Sequence, residues 1–335
     1  MIDPRKIFSP FSGFYPLKSL IKSSNQFLIF PFYHAVSDSP PAHLRNLYRI
    51  KSTQEFEKDI DLLLKNFKAV SPEILINQER PIQLDKASFI LSFDDGLREV
   101  KETIVPILNR KGITAIFFLN NNFIGNKSLF FRYKISVLIE HLRQKDLKAT
   151  EKNTLAELLK TNISDMRDIE RNLLLLGFSD IDIINNISTK INFDYDSYLS
   201  NNQPYLNEDE ILELKNEGYF IGSHSFDHLD FSELSEANQS KEIIESTADI
   251  RRRFELEYSF FAFPFSDIGV SKGTLENLHR MPDGPDASFG TSGLRKSMGI
   301  PHYQRIAMEK TSDDALRIVK TENFYFFLKK LLQYG

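Results

Sequence analysis

Two pairs of polar side chains directly follow apolar runs that have the character of buried strands. Asp94 and Asp95 end the run that begins at Phe89, and His224 and His228 follow a second, shorter run. Carboxylate and imidazole groups are the ligands that proteins offer to a single metal ion, and a spare carboxylate beside it can serve as a base. The residue types therefore predict a hydrolytic metal centre.

The spacing of these residues supports that chemistry. A hydrolytic metal centre needs about three protein ligands and one open position. At a strand-to-helix turn, two histidines four residues apart can face one point, Asp95 can add an anionic ligand, and Asp94 is left to take a proton from water. Asp-Asp-Gly alone is typical of a turn, and two such histidines can be surface residues. Because the chain has only seven histidines, two at one strand end favour a metal site.

Composition narrows the class of protein. The 335-residue chain is 41% hydrophobic and 26% charged, which is typical of a globular protein, and its formal net charge of −4 argues against nucleic-acid binding. It has no cysteine, so a metal would be bound by His, Asp or Glu. No apolar run approaches the roughly 20 residues of a transmembrane helix, and no secretory signal is evident. We expect a cytoplasmic protein, with peripheral contact to the inner membrane as an alternative.

Strand-like and helix-like segments alternate along most of the chain, which predicts an α/β fold with a parallel sheet, open or closed into a barrel. We expect one domain over residues 1–335. Residues from about 126 to 205 are polar, rich in Leu and Asn and helical in pattern; we interpret this helical segment as an insertion. Polar or loop residues follow several predicted strands: His34, Asp94, Asp95, Asn120, His224, Pro264 and Phe265. In barrels of this kind the working residues lie at the carboxyl ends of the strands.

Four motifs together resemble the polysaccharide deacetylase family, also called the NodB-homology domain or carbohydrate esterase family 4. They are Ser-Phe-Asp-Asp-Gly at 92–96, His-Ser-Phe-Asp-His at 224–228, Phe-Ala-Phe-Pro-Phe-Ser at 261–266 and Phe-Tyr-His-Ala-Val-Ser-Asp at 32–38. The last is similar to the start of a subgroup with an N-terminal Tyr-His motif. The resemblance covers about residues 27–125 and 205–310 and leaves the helical segment outside.

The resemblance implies a distorted (β/α)7 barrel that removes N- or O-acyl groups from sugars with a divalent metal, most often Zn²⁺. It assigns Asp94 as the base. It assigns the metal to Asp95, His224 and His228. The backbone N–H of Phe265, after Pro264, would stabilise the oxyanion of the tetrahedral intermediate together with the metal.

The chain departs from the family pattern at two functional positions. Many members carry an arginine that holds the catalytic aspartate where this chain has Ala262, and we expect Arg305, on a late strand, to replace it. There is no tryptophan, and no late Leu-x-His motif supplies the usual acid. His34 is our candidate acid, because histidine transfers protons well near neutral pH; a structural role for it is the alternative. Ser266 and Phe265 replace the Gly and Tyr of the family motif.

These observations predict a metal-dependent deacetylase acting on an N-acetyl or O-acetyl group of a bacterial surface polysaccharide or its precursor. The expected partner is an N-acetylated glycan or a lipid- or nucleotide-linked sugar, and the sequence indicates no oligomeric state. Two alternatives stay open: a glycan-binding pseudoenzyme, and another amidase or deformylase on the same fold. A phosphoesterase is less favoured, because such sites usually hold two metals.

Overall fold

A parallel β-sheet forms the centre of the protein in the computed structural model, which describes residues 5, 9–10, 12–76, 82 and 84–332. The strands are β1 (Leu28–Ile29), β2 (Pro31–Tyr33), β3 (Lys68–Ala69), β4 (Ser88–Phe89), β5 (Leu91–Phe93), β6 (Ala115–Leu119), β7 (Phe220–Ser223), β8 (Phe260–Ala262), β9 (Ala287–Gly290), β10 (His302–Gln304) and β11 (Ile306–Ala307). Eight of them form the main sheet in the order β10-β9-β8-β7-β6-β5-β2-β11, and every neighbouring pair is parallel.

The two edge strands of this sheet are consecutive in the chain and are separated only by Arg305. β10 pairs with β9 at one edge, and β11 pairs with β2 at the other. The backbone of Arg305 donates to the carbonyl of Gly290, and that of Ile306 donates to Phe30. One interrupted strand therefore nearly closes the sheet, and counting it once gives seven strands. The predicted α/β barrel is confirmed.

A second sheet, of three strands, lies at the end of the barrel where β2 and β5 begin. β1 and β3 both pair with β4. β1 continues into β2 after Phe30, and β4 continues into β5 after Ile90, so each of these two segments of the chain contributes to both sheets. This continuity orients the chain so that His34, Asp94 and Asp95 emerge from the barrel at the same edge.

The helices are α1 (Leu17–Ser24), α2 (Thr53–Asn66), α3 (Val105–Lys111), α4 (Phe131–Arg143), α5 (Ala149–Leu158), α6 (Met166–Leu175), α7 (Ile181–Lys190), α8 (Tyr195–Asn202), α9 (Glu208–Asn216), α10 (Glu236–Arg253), α11 (Lys272–Leu278) and α12 (Ala315–Leu332). Ser52 caps α2 in a capping box with Glu55, which satisfies two backbone N–H groups. No helix within the described ranges is both long enough and apolar enough to cross a bilayer.

One predicted helix differs from the structure. The sequence pattern predicts a helix over 97–111, whereas the chain forms a π-helical turn at Val100–Ile104 before α3. Pro106 has no N–H to bond the carbonyl four residues earlier, and its ring crowds the preceding turn. A wider turn at this position accommodates the proline.

The helical segment contains α4 to α8 and has a hydrophobic cluster of its own. This cluster includes Leu138, Leu173 and Ile187, and it extends to Ala35 and Leu97 at the edge of the barrel where the strands end. The barrel core is a separate cluster that includes Phe93, Phe117 and Ile221. The helical segment is therefore packed against the end of the barrel that carries the polar residues.

Candidate active site at the carboxyl ends of the strands

Three potential metal ligands converge where β5 and β7 end. Oδ1 of Asp95 lies 3.3 Å from Nε2 of His228 and 3.6 Å from Nε2 of His224. The ligand atoms of the three residues all lie within 4.8 Å of one another, and all three side chains are buried. Two imidazole nitrogens and one carboxylate oxygen facing one point form a typical facial set for a divalent metal.

Hydrogen bonds orient the first of these imidazoles. Nδ1 of His224 lies 2.8 Å from the carbonyl oxygen of Ala262. A carbonyl only accepts, so Nδ1 carries the proton and Nε2 keeps its lone pair for a metal. The backbone around His224 is held in turn by the loop after β6, because the Asn120 side chain donates to the His224 carbonyl at 2.5 Å.

Left-handed backbone conformations aim several of these side chains. Asp95 has φ 74°, Ser225 67°, His228 56° and Phe265 52°. Non-glycine residues rarely adopt such angles, and each costs of order 1–3 kcal/mol that the surrounding structure must supply. In the turn after β5, Gly96 (φ 65°) is a residue suited to this backbone conformation, and a Cβ there would lie 2.8 Å from a methyl carbon of Leu119. Part of the backbone strain therefore lies in the turns that carry the candidate ligands.

The donor set fits a bound divalent cation. Oδ1 of Asp95 is buried but accepts no hydrogen bond from the described residues, and a buried carboxylate oxygen without a partner is costly. Burial lowers the pKa of His224 to about 4, so this imidazole is neutral at neutral pH. Burial alone would raise the pKa of Asp95, but the neighbouring imidazoles, led by His228, outweigh it and lower the pKa. A neutral imidazole and an ionised carboxylate are the forms in which these groups bind metal.

Asp94 points to a different partner, the guanidinium of Arg305. Nη1 of Arg305 donates to Oδ1 at 2.5 Å, and Nη2 donates to Oδ2 at 2.9 Å. Both side chains are buried. Burial alone would raise the pKa of Asp94, but the charge and hydrogen bond of Arg305, together with the imidazoles of His224 and His34, outweigh it and hold the pKa below its ordinary value. The structure thus places the predicted replacement for the arginine missing at Ala262 against the candidate base.

His34 follows β2 and is held by Glu309, which sequence reasoning did not single out. Nδ1 of His34 lies 2.7 Å from Oε2 of Glu309, and the backbone N–H of His34 donates to the same carboxylate. Burial alone would lower the pKa of His34, but the hydrogen bond and charge of Glu309, with Asp95 and Asp94, raise it to about 9. Glu309 lies two residues beyond β11, so the strand-end rule that identified His34 could have identified it too.

Pro264 and Phe265 lie in the loop after β8, beside the histidines. The Phe265 ring contacts the ring of His228 with centroids 4.6 Å apart, and 38% of Phe265 is exposed. Its backbone carbonyl accepts a hydrogen bond from Thr291, whereas its N–H donates no backbone hydrogen bond to another described residue. This N–H is available as a donor at the site edge.

Two aromatic residues of the helical segment also reach the site, and sequence reasoning missed both: Tyr133 lies on α4, and Phe130 directly precedes this helix. The Tyr133 hydroxyl donates to Oδ2 of Asp95 at 2.5 Å. The Phe130 ring packs on His228 with centroids 4.3 Å apart. Neither residue follows a barrel strand or belongs to a motif, so no local signal identifies it. The helical segment therefore forms one wall of the site.

The sequence matches one protein-family profile. Residues 82–281 match the profile described as "Polysaccharide deacetylase", which covers the Asp94–Asp95 pair, both histidines and the loop at Phe265. Among curated proteins, none matches the chain significantly.

Solved structures of deacetylases share the fold. A Streptococcus pyogenes deacetylase, PplD, in complex with acetate superimposes with a TM-score of 0.53 at 15% identity, covering 88% of this chain and 97% of PplD. IcaB from Ammonifex degensii gives 0.50 at 16% identity, with 88% and 97% covered. A de-N-acetylase from Aggregatibacter actinomycetemcomitans gives 0.52 at 14% identity, with 87% and 99% covered. These similarities extend over nearly the whole barrel.

Proposed function

The chain belongs to the polysaccharide deacetylase family, and from this premise we propose that it removes an N-acetyl group from a sugar of a bacterial surface polysaccharide or its precursor in a metal-dependent reaction. The precursor would be a lipid- or nucleotide-linked sugar. The relation to the Tyr-His subgroup stays a prediction, based on the motif around His34.

One observation carries the proposal: an ionised carboxylate held by arginine lies next to a separate set of three metal-type ligands. Oδ2 of Asp94 is 3.8 Å from Nε2 of His224, so base and ligand set border the same space. Asp95, His224 and His228 would hold the metal. With imidazole and carboxylate ligands and no cysteine in the chain, we propose Zn²⁺. When bound, zinc supplies a Lewis acid that polarises the acetyl carbonyl and acidifies water.

The residues around the ligands would divide the proton transfers. Asp94 would take a proton from the attacking water through a lone pair not used by Arg305, since a carboxylate has about four acceptor sites. The Phe265 N–H would donate to the developing oxyanion. His34 would deliver a proton to the leaving nitrogen; Glu309 occupies Nδ1, which leaves Nε2 for the transfer. Its raised pKa keeps it protonated near neutral pH.

The test is acetate release from a panel of N-acetylated substrates. Neutral amino-sugar oligomers, lipid-linked sugars and nucleotide-linked sugars would be compared, with metal content measured on the same sample. We expect acetate from at least one class, released about 10²–10⁴-fold more slowly by Asp94→Asn with the same metal content. Metal-loaded protein that releases no acetate from any class, while binding an oligomer, would favour the glycan-binding alternative.

A further inference from the structure

Tyr133 links the helical segment directly to a candidate metal ligand. Its hydroxyl lies 2.5 Å from Oδ2 of Asp95, and both side chains are almost completely buried. We infer that Tyr133 is a positioning residue that makes Asp95 bind metal through Oδ1 alone. This inference rests on the proposed function, because it concerns the same metal centre, and it adds a residue outside every motif of the family resemblance.

The two oxygens of Asp95 have different surroundings. Oδ1 faces the Nε2 atoms of both histidines and accepts no hydrogen bond from the described residues, whereas Oδ2 accepts the Tyr133 hydroxyl. A carboxylate can bind a cation through one or both oxygens. A hydrogen bond to Oδ2 opposes its rotation toward the metal. One ligand atom from each of three residues would leave a bound metal open to water or substrate, as a hydrolytic site requires.

The hydroxyl is held in place by aromatic packing. The Tyr133 ring meets Phe130 edge-on with centroids 5.1 Å apart, lies 5.4 Å from His43 and stacks on Tyr205 at 6.1 Å. Such packing leaves little freedom for the phenol ring. Hydrogen bonds to a ligand from outside the coordination sphere typically change metal affinity 10- to 100-fold. The fold of the helical segment would therefore be coupled to the metal affinity of the barrel.

Zinc affinity of Tyr133→Phe tests this role directly, measured by competition with a chromophoric chelator. We expect the dissociation constant to rise about 10- to 100-fold. We also expect the visible spectrum of the cobalt-substituted protein to change, because Oδ2 becomes free to coordinate. Tyr219→Phe is the matched control. It removes a buried tyrosine's hydroxyl that donates to the Asn109 side chain at 2.7 Å, away from the site.

A double-mutant comparison separates positioning from a general structural role. If Tyr133 acts through Asp95, adding Tyr133→Phe to Asp95→Asn leaves zinc affinity nearly unchanged; a further loss of tenfold or more would overturn the inference. The comparison uses only the two variants that carry Asp95→Asn, so it does not require an assay of Tyr133→Phe alone. Unchanged zinc affinity and cobalt spectrum in Tyr133→Phe would likewise overturn it. Wild-type protein that binds no zinc would instead reject the metal centre itself, and the inference with it.

Discussion

The barrel side and the helical side of the site are built differently. The barrel side presents charged groups at strand ends: Asp94 with Arg305, and Asp95 with His224 and His228. The helical side presents one tyrosine hydroxyl and a phenylalanine ring, both from one short stretch at the start of α4. The barrel side carries the titratable and metal-type groups, and the helical side contacts and covers them.

This difference implies different consequences of substitution. Removing a charged group on the barrel side removes a chemical step or leaves a buried charge without its partner. Removing a contact on the helical side leaves every reacting group present but less well held. We therefore expect large, specific losses on one side and smaller, graded losses on the other.

Asp94→Asn should give the largest effect. The amide cannot accept a proton from water, so turnover should fall by about 10²–10⁴-fold, the range for losing a general base. Zinc content should stay at the wild-type level, because Asp94 is not among the three converging ligands. Acetate release and metal analysis on one sample check this. Near-normal turnover would remove Asp94 from the role of base.

Arg305→Met should cost both stability and activity. Removing one partner of a buried ion pair typically costs about 3–5 kcal/mol in the free energy of unfolding, measured by urea titration. Because Arg305 holds the pKa of Asp94 down, its loss raises that pKa, and the acid limb of the rate profile moves to higher pH. Arg251→Met, at an exposed position on α10, is the control and should match wild type. An unmoved acid limb would contradict the electrostatic role.

Glu309→Gln should change the pH dependence more than the maximal rate. Glu309, with smaller contributions from Asp95 and Asp94, raises the pKa of His34 from its ordinary 6.5 to about 9. The acid form, and the stability gained by protonation, are therefore fully present below 6.5 and are lost as pH rises through 9. Without Glu309 the alkaline limb of kcat/KM should move to lower pH. At a fixed pH on that limb, activity should fall roughly tenfold for each unit by which the pKa of His34 falls. The exposed Glu257→Gln is the control. An alkaline limb that stays in place would exclude His34 as the titrating acid.

Phe130→Leu should have the smallest effect, on the helical side. The ring covers His228, and leucine leaves part of that imidazole uncovered. We expect roughly 1–3 kcal/mol less stability and a several-fold lower kcat/KM. Phe131→Leu, at the neighbouring buried position with its ring on Phe178, is the matched control for stability. A loss of activity in Phe130→Leu as large as that of Asp94→Asn would erase the distinction between the two sides.

Sequence reasoning reached the barrel side because strand ends carry a local signal. The apolar runs before Asp94 and His224 predict strands, and parallel strands place the residues that follow them at one edge. The same rule led to His34, whereas Arg305 was identified only as a replacement for the arginine that the family pattern places at Ala262. Glu309 lies at the same edge and was missed only because no family motif includes it.

The helical side could not be reached in this way. Tyr133 and Asp95 are 38 residues apart, and their contact depends on how α4 packs across the end of the barrel. Periodicity predicts helices in the helical segment but not which turn of which helix faces the site. The closure of the barrel around Arg305 likewise depends on pairing between β11 and β2, distant in sequence. These features follow from tertiary packing rather than local pattern.

The central claim is tested most directly by titrating metal-stripped protein with zinc. The rate of acetate release is followed during the titration on the best substrate of the panel. Since three ligand atoms converge at one point, we predict no release before zinc, a linear rise in rate, and a plateau at about one zinc per chain. A substantial rate before any zinc is added, or no rise as zinc is bound, would contradict a metal-dependent deacetylase with its metal at Asp95, His224 and His228.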